Sequence, residues 1–114
     1  MGTPLAAQAV AGALMGLEEA LRKLAYAINT LANGKGRIKD RLGDATARDL
    51  VRIRPTDLPQ NARPYFDSAM TALTTLRGKR TTVQASLEAM SEDEAQSVAN
   101  NIVSAYLEAR RPEK

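Results

Sequence analysis

The side chains able to do chemistry in this 114-residue sequence are carboxylates, lysines, arginines and three tyrosines; histidine, cysteine and tryptophan are absent. Without imidazole or thiol there is no serine–histidine pair, cysteine nucleophile, thiolate zinc centre or disulfide. The carboxylates do not make up the loss. Glu18/Glu19 and Glu92/Asp93/Glu94 are consecutive, and consecutive side chains diverge by about 100° around a helix. Neither run alone can hold a metal or set up an acid/base pair, and the second suits a helix start, where the dipole favours negative charge. The sequence therefore predicts no catalytic residue, no metal and no cofactor, in a chain that is not an enzyme.

The cations are more suggestive. The formal net charge is +3, but residues 35–80 carry eleven Lys/Arg against five Asp, whereas residues 81–114 carry three against six acids. Arg37, Arg41, Arg48 and Arg52 fall within an arc of about 60° on one helix, with Lys35 at its start. Such a row could meet successive phosphates of a nucleic acid. Asp44 lies in the same arc, placed to pair with Arg41 and Arg48, and the helix carries neither stacking aromatics nor base-reading amides. The arginines are therefore expected to pair with carboxylates of the acidic last helix or of a protein partner. Gly34-Lys35-Gly36-Arg37 could cradle an anion before a helix, though a solvated turn explains it more simply. Gly78-Lys79-Arg80 is a basic tip that would extend the row if the fold brings the two together.

The elements that position these residues follow from periodicity. Thr3 and Pro4 form a helix start, as N-cap and first helical residue. Val10, Leu14, Leu17, Leu21, Leu24, Ile28 and Leu31 then recur at alternating spacings of four and three, the seam of a bundle or coiled coil. Asn33-Gly34 ends this helix. A second is predicted from about Arg37 to Ile53, stopped by Arg54-Pro55. A third is capped by Asn61 or a neighbour, with Pro64 in its first turn and Phe66, Ala69, Met70, Leu73 and Leu76 buried. Thr81 with Gln84 and Ser91 with Glu94 match capping boxes, predicting a short fourth helix lined by Val83, Leu87 and Met90 and a fifth lined by Ala95, Val98, Ile102, Ala105, Tyr106 and Ala109. Phe66 is assigned to the core, Tyr26 and Tyr106 to its edge, and Tyr65 to the surface. No strand is predicted: the fold is an all-α bundle of about five helices in one domain, 1–114.

The first helix is out of proportion to the rest. A rod of roughly 28 residues is about 42 Å long, whereas a compact domain of this size is only about 34 Å across. Ala9 to Leu17 contains no polar side chain, and a helix apolar all round should be buried all round. Gly12 and Gly16 add a GxxxG spacing, which permits close helix approach. The expectation is a homodimer, or a larger symmetric oligomer, whose N-terminal helices pack through Val10, Gly12, Ala13, Leu14, Gly16 and Leu17, an antiparallel pair being simplest. No Lys or Arg precedes the apolar residues 4–17, and they fall short of the ~20 needed to span a bilayer, so a cytoplasmic protein without membrane contact is expected. The predicted function is a non-enzymatic protein–protein interaction or regulatory module. It would bind itself through the first helix and an acidic protein through Lys35, Arg37, Arg41, Arg48, Arg52, Lys79 and Arg80. The alternative is a small nucleic-acid-binding regulator using the same basic residues.

Overall fold

A run of good helix formers with no internal proline carries the first helix, α1 (Thr3–Asn33), through 31 residues. The computed structural model describes residues 3–111, with side-chain surroundings from residue 16 onward. Val10, Gly12, Ala13 and Leu14, and the capping detail at Thr3, lie outside the described side chains, and Pro112 outside the described residues. The helices that follow are α2 (Ile38–Arg48), α3 (Arg63–Thr74), α4 (Val83–Ala89) and α5 (Glu92–Arg110). The fold is a small all-α bundle. Its long axis measures 56 Å against 31 and 25 Å across, and the radius of gyration is 15.5 Å, above the ~13 Å of a compact chain this long.

The buried line of α1 differs from the predicted seam. Ala20, Leu24, Ala27 and Leu31 are buried, whereas Leu17, Leu21 and Ile28 are only half-buried at the edge. Leu24 and Leu31 of the seam are buried as predicted, and from them the buried line turns toward Ala20 and Ala27. Alanines at 20 and 27 let α1 approach its neighbours closely, and the larger seam residues are left about a quarter-turn away on the helix flank. α3 and α5 form the most extensive pair, and α1 packs on α2 and α5. Phe66, Leu24, Leu42, Leu50, Leu58, Leu73 and Ile102 are the largest fully buried apolar side chains of one continuous core.

α2 stops five residues short of its predicted end. Asp49 leaves helical geometry (φ −128°, ψ −49°), and Leu50–Arg52 forms a 3-10 turn. With three residues per turn, positions i and i+3 eclipse, so Leu50 and Ile53 both reach the core. A second 3-10 turn, Pro55–Asp57, follows. Arg52 is therefore not on α2.

Neither the Asn61 side chain nor the Thr81 side chain makes a helix cap. Ala62 precedes α3 in helical geometry and supplies no side-chain cap; the Asn61 amide instead donates to the Glu108 carbonyl at 2.8 Å. α4 is capped by Thr82, whose hydroxyl accepts from the Ala85 N–H at 3.1 Å, because the Thr81 N–H is committed to the Thr74 carbonyl at 2.8 Å. Gln84 bonds Glu88 in place of closing a box. That Thr81–Thr74 bond closes a feature the sequence reading excluded: a two-residue antiparallel pair, β1 (Thr75–Leu76) with β2 (Lys79–Arg80). Arg77 (φ +53°) and Gly78 (φ +77°) form its turn, with the two positive φ angles that a type I′ hairpin needs.

The Ser91–Glu94 box forms as predicted, with Ser91 Oγ accepting from the Glu94 N–H and Glu94 Oε1 from the Ser91 N–H. Ser91→Ala is expected to lower stability by about 1 kcal/mol, read as a lower urea midpoint at unchanged m-value.

Candidate interaction surfaces

Four kinds of surface follow from this packing: the outer flank of α1, the basic residues, two exposed aliphatic positions on α5, and the grooves between helices.

On α1, Leu17, Leu21, Ala25 and Ile28 form a half-buried apolar flank. Gly16, expected in self-association, faces inward to its own chain: a Cβ built there would lie 2.5 Å from Asp57 Oδ1. The close approach this glycine permits is that of the Pro55–Asp57 turn. Asp57 is held by Arg54 at 3.5 Å.

α5 runs back along α1. Its first turns share a groove of about 220 Å³ with the end of α1, lined by Ile28, Ala32, Asn100 and Val103 among others. At the other end Asn61, four residues beyond the Asp57 that meets Gly16, bonds Glu108. On the same side of α5 as this groove, Val103 and Leu107 are 37% and 59% exposed. They were not singled out from the sequence, although the i, i+4 spacing of two aliphatic residues outside the Ala95–Ala109 stripe was there to be seen.

The four-arginine row does not exist as a surface. Arg37 and Arg48 are exposed on or beside α2, Arg52 is exposed on the 3-10 turn, and Arg41 turns inward. Its Nη1 donates to the Leu31 carbonyl at 2.6 Å. That carbonyl lies in the last turn of α1, which has no following helical N–H to satisfy it; a cation there also suits the helix dipole. Arg41 Nε is buried without a partner. Arg52 contributes its carbonyl, which accepts from Lys23 Nζ at 3.1 Å. Among the described residues the ion pairs are Arg22–Glu19, Arg54–Asp57 and Arg111–Glu108. The expected pairing of Asp44 with Arg41 and Arg48, and of the arginine row with α5, is thus absent there. The reason is geometric: Arg41 is drawn to the end of α1, in a groove whose α5 residues, Gln96, Ala99, Asn100 and Val103, include no carboxylate.

The loop 34–37 already holds its own anion. Gly36 adopts φ +91°, and Asp40 Oδ2 accepts the Arg37 N–H at 3.0 Å, occupying the donor that an external anion would use. Lys35 remains exposed. Lys79 and Arg80 are exposed on β2, and the hairpin is tied to α4 by the Ser86 hydroxyl donating to the Thr75 carbonyl at 3.1 Å.

A basic residue absent from the predicted sites proves structural. Arg63 Nε donates to the Leu58 and Pro55 carbonyls at 2.9 and 3.2 Å, and Nη2 reaches the Thr56 carbonyl at 3.4 Å. One guanidinium thus holds the whole loop between the 3-10 turns and α3. The aromatics divide differently from expectation. Phe66 is in the core, as predicted, but Tyr26 is 55% exposed against 39% for Tyr65, so Tyr26 belongs to the surface. Tyr106 is half-buried, with the Arg110 guanidinium 5.4 Å from its ring centre.

A groove of about 630 Å³ lies between α2 and α4 over Gly43, Ala47, Val51, Val83 and Leu87. Among the described residues no three His, Cys, Asp or Glu side chains cluster as a metal site would require, and no helix is long and apolar enough to cross a membrane. Comparison with family models, curated proteins and solved structures finds no match to this chain.

Proposed function

We propose that the chain is a non-enzymatic interaction module, regulatory in use, that works as a homodimer or larger symmetric assembly built along α1. The observation that carries this reading is the divided seam. A sequence keeps large apolar residues at a 3.5-residue period when they pack against another helix. Here Leu24 and Leu31 of that seam are buried in the core, while Leu17, Leu21 and Ile28 are left half-buried, with Leu21 and Ile28 packed on the edge of the core and partly open on their outer side. In the sequence Val10 and Leu14 continue the same spacing. The exposed Arg37, Arg48 and Arg52 supply a second contact, for carboxylates of an acidic protein; Arg41 takes no part in it.

Sedimentation equilibrium tests the assembly. At on the order of 50 µM, the wild-type chain is expected as a dimer or larger, and a monomer there would overturn the reading. Leu21→Glu should weaken association about 100-fold or more, since a two-fold interface loses each leucine twice and gains two buried charges. Its helical circular dichroism should be retained, because Leu21 is not part of the fully buried line.

A further inference from the structure

From the arrangement of α1 and α5 we infer that the second copy lies antiparallel along the α1 flank, with Ala25 on the two-fold axis and Val103 and Leu107 of α5 completing the interface. This rests on the self-association proposed above and specifies its geometry.

Three features of the strip fix the register. First, its two ends carry opposite charge. Glu18 is exposed at one end, beside the strip, and Lys35 and Arg37 at the other, whereas Glu19 is paired with Arg22 on the far side of the helix. A parallel pair would set acid on acid and base on base, whereas an antiparallel pair sets each acidic end against a basic one. Second, the centre of the strip is its smallest residue. Ala25 sits between Leu21 and Ile28, so two such helices come closest there. Leu21 of one copy then lies beside Ile28 of the other, and Leu17 lies within one residue of the level of the other copy's Ala32. Third, α5 lies antiparallel to α1, with Val103 in the groove that Ile28 and Ala32 line. Leu107, one turn further, is carried toward the level of Ala25. Both aliphatic residues therefore flank the proposed axis, and a neighbouring copy seated on Ala25 would cover them.

The absence of cysteine from the sequence makes the register directly measurable. Ala25→Cys, Leu17→Cys and Ala32→Cys are each introduced into the full chain and exposed to mild oxidation. A disulfide requires Cα atoms within about 7 Å. The antiparallel register brings two Ala25 positions together, but holds two Leu17 positions about 24 Å apart along the axis. Ala25→Cys should therefore form a disulfide dimer, Leu17→Cys alone and Ala32→Cys alone should not, and an equimolar mixture of those two should. In sedimentation, Leu107→Glu should weaken association about 10-fold or more, and its exposure means that folding is not at stake.

Efficient cross-linking of Leu17→Cys with itself would overturn the antiparallel register and leave self-association standing. A dimeric mass with no cross-link at any of these positions, or unchanged association of Leu107→Glu, would overturn the α1–α5 surface while the dimer remains. A monomeric wild-type chain would overturn both the geometry and the reading beneath it.

Discussion

Phe66→Ala is expected to remove about 3–5 kcal/mol of folding stability, the range for deleting a fully buried aromatic ring. Phe66 is 1% exposed and the only phenylalanine in the chain. It stands on α3, the helix most extensively packed on α5. Domains of this class have total stabilities of only about 5–15 kcal/mol, so a large fraction of the molecule's margin rests on one ring. Urea unfolding followed by circular dichroism, at one protein concentration to hold assembly constant, should show a lower midpoint at unchanged m-value. Phe66→Leu should retain most of the loss. If Phe66→Ala shifts the midpoint by less than about 1 kcal/mol, the ring is not the centre of the core.

Arg63→Ala should be the most damaging change among the charged residues, at about 2–3 kcal/mol. The guanidinium donates to carbonyls of Pro55, Thr56 and Leu58, three acceptors of a loop with few helical bonds of its own. Removing it leaves these oxygens to water and releases the segment that carries buried Leu58. Arg63→Lys should rescue little, since an ammonium cannot reproduce the fixed fork through which Nε and Nη2 reach different residues. Hydrogen exchange gives the local readout: amides of residues 55–62 should lose protection before those of α3 and α5. Full rescue by lysine would show that charge, and not the fork, holds the loop.

Helical structure was plain in the sequence because apolar spacing reports it directly. The Ser91–Glu94 box, the stripe of α5 and the buried Leu50, Ile53 and Leu73 followed from that spacing. What escaped depends on partners far away in the chain. In α1 the seam reads correctly at Leu24 and Leu31, but Ala20 and Ala27 look unremarkable beside Leu21 and Ile28, and only close packing by other elements brings them into the buried line. The hairpin at 75–80 escaped because its turn is Arg77-Gly78 and not the Asn-Gly that signals type I′ geometry. Once Thr81 closes that hairpin, the cap of α4 must move to Thr82, an effect that a capping motif read alone does not register. The basic surface was the least legible part. Arginines at 37, 41, 48 and 52 look equivalent on a helical wheel, yet one is turned to the end of α1 and another has left the helix altogether.

Lys23, Arg41 and Arg63 share a role that alters how the molecule's positive charge should be counted. Each clasps main-chain oxygens of a different segment: the Arg52 carbonyl, the Leu31 carbonyl and the loop carbonyls at 55–58. They work as stitches between elements, with their cations already committed. Neutralising them would loosen seams of the fold and lower any binding signal indirectly, imitating the loss of a docking contact. A charge-scanning survey of this protein therefore needs to begin from the outward cations, Lys35, Arg37, Arg48, Arg52, Lys79 and Arg80, and to treat the three stitching residues as controls for folding.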